Sequence, residues 1–85
     1  MPYITRERRV EAFDGTPSTS GELNFKLTCH VDEYICETGG VSYSKLNEVI
    51  GVLECMKLEL YRRIMAPYED KKLITNGEVY VCASI

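Results

Sequence analysis

The chain has 85 residues, of which 45% are hydrophobic and 27% charged, and its formal net charge is −3. That balance predicts one globular domain rather than a disordered or fibrous chain, with a marginal core, because folding at this length hides only about 60–65% of the unfolded surface. The negative charge excludes a general attraction to nucleic-acid backbones. The lack of a signal-peptide plan, or of an apolar run near the roughly 18 residues of a membrane helix, predicts a cytoplasmic protein with no membrane partner.

Thr5 is placed to cap a first helix over about residues 5–13, with Glu7 in its first turn and Val10 and Phe13 facing inward. Asp14 to Gly21 is rich in turn formers and reads as a surface loop. A second helix is expected over about residues 20–37, carrying Leu23, Leu27, Val31 or His30, Tyr34 and Ile35 at helical spacing and ended by Gly39-Gly40. Ser42 or Ser44 can cap a third helix over about residues 43–65, with the stripe Leu46, Val49, Ile50, Leu53, Met56, Leu60 and Ile64. Pro67 should stop it. Such a helix is about 33 Å long, near the diameter of the whole domain, and one shorter partner cannot cover it. Gly51 in its middle costs up to about 1 kcal/mol relative to Ala, which a close helix crossing would offset.

The last segment, Lys72 to Val81, has two β-prone runs around Asn76-Gly77 and predicts a two-residue hairpin over about residues 72–81. Such a hairpin is marginal alone and would pack on the helices or on another chain. The expected fold class is therefore mainly α, three helices with a C-terminal β-hairpin, in a single domain over residues 1–85. The four cysteines, Cys29, Cys36, Cys55 and Cys82, read as reduced and structural. Cys29 and Cys36 would stand about 10.5 Å apart along one helix, beyond the reach of a disulfide.

The strings Gly21-Glu22-Leu23-Asn24, Asn47-Glu48-Val49-Ile50-Gly51-Val52-Leu53-Glu54-Cys55, Lys57-Leu58-Glu59-Leu60-Tyr61-Arg62-Arg63, Ala66-Pro67-Tyr68-Glu69-Asp70-Lys71-Lys72 and Asn76-Gly77-Glu78-Val79-Tyr80 stand in this order along the chain. Together they resemble a family of short proteins encoded by bacteriophages, prophages and some bacteria. The resemblance implies a phage-associated accessory protein in the host cytoplasm and supplies no activity or site to transfer. The pattern in that family usually ends near Glu78-Val79-Tyr80, so Val81 to Ile85 would lengthen the second strand or form a tail.

Catalytic chemistry finds little support in the residues. Cys29 and His30 are adjacent and would point in different directions on a helix, so they do not make a nucleophile and base. Cys29, His30 and Cys36 lack structural zinc spacing. A small all-α metal-dependent nucleotide pyrophosphohydrolase needs convergent carboxylates, whereas Glu48, Glu54 and Glu59 do not converge on one ion, and Glu54 reads as a surface pair with Lys57 and Glu59 with Arg62 or Arg63. No catalytic residue, metal ligand or cofactor is expected.

Binding fits better. Tyr61, Arg62, Arg63, Tyr68, Lys71 and Lys72 gather aromatic faces and positive charge at a helix end, with Arg8 and Arg9 available from the first helix. A salt-bridged helix terminus is the plainer account of that cluster, and a site for a phosphate-bearing ligand is the sharper one. Seven acids against three bases over residues 22–59 disfavour nucleic acid as the partner. The expected function is a non-enzymatic, homo-oligomeric, phage-type binding protein with Val49, Gly51, Val52, Leu53, Met56 and Leu60 at the oligomer interface. The ligand would be a phosphate-bearing nucleotide held between subunits, such as a signal of host defence. The alternatives are the hydrolase and a module that binds a host protein.

Overall fold

The computed structural model of the chain describes residues 1–82, so the expected end of the tail, Ala83-Ser84-Ile85, lies outside the described residues. The elements are α1 (Arg6–Asp14), α2 (Ser20–Glu37), α3 (Tyr43–Leu60), a π-helical turn (Tyr61–Met65) and α4 (Ala66–Asn76). They fall into two compact units, Met1–Val49 and Ile50–Ile85.

In the first unit α1 packs on α2. Helix α2 starts at Thr19, whose Oγ1 accepts the backbone N–H of Glu22 at 3.1 Å. That contact satisfies an N–H with no partner inside the helix. Gly21 stands where an added Cβ would come within 3.3 Å of Ile4 Cγ2, so the missing side chain lets the N-terminal segment approach. Val31 and Ile35 are half-buried as expected, but the other inward residues of α1 and α2 differ from those expected. Ala12 is buried and Arg9 half-buried, whereas Val10 and Phe13 are exposed. On α2 it is Glu22 that is buried, with Phe25 and Cys29 half-buried, while Leu23 and Leu27 remain exposed. Two guanidiniums supply the difference: Arg9 lies 5.6 Å from the Phe25 ring centroid, and Arg8 reaches Glu22 at 3.2 Å.

The end of α2 follows from Gly39 and Gly40, at φ of 109° and 83°, which let the Gly40 N–H turn back to the Ile35 carbonyl at 2.9 Å. Ser42 then caps α3 through its Oγ, which accepts the Lys45 N–H at 3.1 Å. A clasp joins the two helices beyond this turn. The Tyr34 hydroxyl donates to Glu48, and Lys45 Nζ sits 4.9 Å from the Tyr34 ring centroid and 3.8 Å from Glu48. Val49 at the end of this unit is buried.

The second unit corrects two expectations. Helix formation does not stop before Pro67. Proline has no N–H to give the Arg63 carbonyl four residues back, and its ring crowds that carbonyl. The preceding turn widens instead, the Ala66 N–H bonding to the Tyr61 carbonyl five residues back, and α4 begins with the proline in its first turn. The second correction is the C-terminal β-hairpin over residues 72–81. Residues 72–76 belong to α4, and no strand occurs among the described residues. Thr75 Oγ1 bonds back to the Lys71 carbonyl at 3.1 Å, a helical contact four residues apart. Gly77, at φ 94°, closes the helix with its N–H on the Leu73 carbonyl at 2.9 Å. A type I′ hairpin turn needs positive φ at both central residues, and Asn76 does not adopt it. Beyond Gly77, the Glu78 carboxylate accepts the N–H groups of Val79 and Tyr80 at 2.9 and 2.7 Å, taking donors that a strand ladder would use.

Candidate functional site

The surfaces of the second unit are built by one helical run. Val49, Leu53, Met56 and Leu60 recur at spacings of four, three and four and share one side of α3. Their exposure rises along the helix, from 7% at Val49 to 44%, 54% and 59% at Leu53, Met56 and Leu60. Ile64 continues the line in the π-helical turn at 63%, and Tyr68 follows in α4, also exposed. Val52 lies at the edge of this side. None of the described residues of the second unit is buried.

Gly51, expected at the same interface, falls elsewhere. Nine residues from Leu60 amount to two and a half helical turns, which puts Gly51 on the opposite side. A Cβ built on it meets nothing within 4 Å.

The basic and aromatic cluster is only partly assembled. Arg62 holds both carboxylate oxygens of Glu59, at 2.8 and 3.0 Å, and Arg63 reaches the same carboxylate at 3.9 Å. Tyr61 and Tyr68 are exposed, and Lys72 Nζ stands 5.6 Å from the Tyr68 ring centroid. The open hollow near α4, of about 360 Å³, is lined by Glu69, Asp70 and Glu78 against a single cation, Lys72, so its walls repel a phosphate. Lys71 does not line it. Arg8 and Arg9 belong to the first unit, where they hold α1 on α2. Glu22 is the focus of that contact, its Oε1 accepting from Arg8, from the Ser18 N–H at 3.3 Å and from the Ser18 hydroxyl at 3.2 Å. The Arg8 hydrogen bond, helped by the Ser18 N–H, holds the Glu22 carboxyl below its ordinary range, and the same partnership with Glu22 raises the Arg8 guanidinium above its own. Sequence reasoning missed this residue, although the Thr19-x-x-Glu22 spacing was the signal for a helix start.

The remaining candidates are dispersed. Glu54 pairs with Lys57 at 3.1 Å and Glu59 with Arg62, while Glu48 belongs to the Tyr34 clasp, whose carboxylate raises the Tyr34 hydroxyl above its ordinary pKa. Among the described residues no three His, Cys, Asp or Glu side chains come together as metal ligands. The His30 ring lies against Phe13, centroids 5.6 Å apart, and Cys29 is half-buried. All four cysteines are free thiols, and Cys36, Cys55 and Cys82 are exposed, which leaves them no packing role in the single chain. No helix among the described residues is long and apolar enough to cross a membrane.

These features define a helical protein with a latched N-terminal hairpin and, after it in sequence, a helical segment with an uncovered apolar side. The chain belongs to the DUF6899 family, a domain of unknown function, whose match covers residues 1–79. No curated protein and no solved structure matches it.

Proposed function

We propose that this chain is a non-enzymatic accessory binding protein of phage type that works as a homo-oligomer. The observation that supports it is the second unit, which carries Leu53, Met56, Leu60, Ile64 and Tyr68 along one run and buries none of its described residues. The phage origin rests on the sequence resemblance. A phosphate-bearing nucleotide held between subunits is the ligand this reading carries: Arg62 and Arg63 share the single carboxylate of Glu59, which leaves positive charge uncompensated beside the exposed Tyr61. Native mass spectrometry of protein purified from its producing cells tests both parts. The expected result is a mass that is a multiple of the chain, with a retained phosphate-bearing adduct. A folded monomer at micromolar concentration overturns the self-association, and an adduct-free oligomer that binds no nucleotide in calorimetry overturns the ligand and favours a host protein as the partner.

A further inference from the structure

The Asn76-Gly77 pair, which the sequence marks as a turn, stands at the C-terminus of α4. Both residues are exposed, and Asn76 is the last residue of the helix. Of the asparagines in the chain it alone precedes a glycine, since Asn24 and Asn47 are followed by Phe25 and Glu48 inside α2 and α3. That order has a chemical consequence. The carboxamide carbon of an asparagine can be attacked by the backbone nitrogen of the next residue, and a following glycine has no Cβ to obstruct the ring that forms. We propose that Asn76 is a site of spontaneous deamidation, restrained by the last turn of α4 and reached when that turn frays.

The reaction needs no enzyme, and water is its only co-reactant. The Gly77 nitrogen gives its proton to solvent and bonds to Asn76 Cγ, the Cγ–Nδ2 bond breaks, and the side-chain nitrogen leaves as ammonia. Water then opens the cyclic imide at either carbonyl, which yields aspartate or, when the main-chain carbonyl is attacked, isoaspartate with the backbone running through Cγ. Two features of the closed turn oppose the first step. The Gly77 N–H is held on the Leu73 carbonyl at 2.9 Å, and Asn76 keeps the helical backbone that ring closure must abandon. The restraint is local, because Gly77 at φ 94° and ψ 154° closes the helix and such ends open at little cost in free energy. Asn76 also lines the hollow beside α4, together with Glu69, Asp70 and Glu78. Deamidation adds a carboxylate there, at the negative end of the helix, so the modified α4 should end earlier. The ammonia is lost, and the change accumulates with the age of the chain.

Peptide mapping by mass reads the reaction in the full-length chain, incubated folded in mildly alkaline buffer and, in parallel, in urea. The expected result is a growing exchange of NH2 for OH in the peptide that follows Lys72, slower in the folded chain than in urea, with isoaspartate at position 76. The peptides that carry Asn24 and Asn47 should keep their mass in the folded chain. Gly77→Ala should suppress the conversion: its Cβ meets nothing within 4 Å outside its chain neighbours, and although it strains the positive φ and loosens the turn, it obstructs ring closure. Asn76→Asp, which carries the side chain of one product, should speed amide exchange at residues 72–76 by about two- to fivefold. Absence of conversion in the folded chain, while the chain in urea converts, refutes the site. Equal rates in the two conditions, or equal conversion of Asn24 or Asn47 in the folded chain, refute the restraint by the last turn.

Discussion

Among the described residues Glu22 is the one charged side chain that is buried, and its partners are local and directional. Its carboxyl is held below the ordinary range by the Arg8 hydrogen bond, so the proton binds more readily to the unfolded chain than to the folded one. The stability it contributes is fully present above the unfolded glutamate pKa, about 4.3, and is lost as pH falls through the folded value. Arg8 stays charged across that window. Wild type should therefore be more stable than Glu22→Gln above about pH 5, with the difference narrowing as pH drops below about 4. Thermal unfolding of both proteins across this range checks it, and a constant gap would remove the carboxylate from the latch between α1 and α2. The same residue shows what composition conceals. Glu22 counts as one acid among seven in the acidic middle, and only its placement three residues after Thr19 marks it as part of a helix start.

At the scale of elements, the starts and stops that rest on one residue's covalent chemistry were legible. Ser42 caps a helix, and Gly39 and Gly40 end one, because few residues accept those hydrogen-bond and φ requirements, whereas Thr5, expected to cap α1, makes no side-chain cap hydrogen bond. The misread positions are those where one residue type serves two structures. Gly77 supplies a positive φ that suits a hairpin turn and a helix C-terminus equally, and Ile74 and Thr75 have only a weak preference for strands. Pro67 was read as a stop, and the widened turn before it could not be foreseen because it depends on how the carbonyls of Tyr61 and Arg63 are served. The stripe of α3 was legible as a periodicity, whereas Gly51 was assigned to the interface because a close crossing would offset a mid-helix glycine, and it lies on the opposite side. That position gives a sharp test. Gly51→Ala adds a methyl group to open space and removes a costly glycine, so it should stabilise the helix by up to about 1 kcal/mol and leave association unchanged. Chemical unfolding with parallel sedimentation measures both, and a loss of association would return Gly51 to an interface.

For the whole molecule, burial within the chain separates the two units. Among the described residues the buried ones, Ala12, Glu22 and Val49, all lie in Met1–Val49, and a unit of that size is near the lower limit for independent stability. The second unit has no described residue of that kind, so within the single chain its helices depend on propensity and on exposed ion pairs such as Glu54–Lys57, each worth a few tenths of a kcal/mol, and the proposed self-association would add contacts with a second copy. Association that covers Leu53, Met56, Leu60 and Ile64 binds the folded state and not the unfolded one, and it raises apparent stability by mass action. The unfolding midpoint should accordingly rise with protein concentration over the micromolar range. Amide hydrogen exchange should show protection at residues 53–68 growing with concentration, while that of α2 changes less. Equal midpoints at all concentrations, with residues 53–68 protected in dilute protein, would mean that this helical run is stable unassisted and that its apolar side has no second copy to meet.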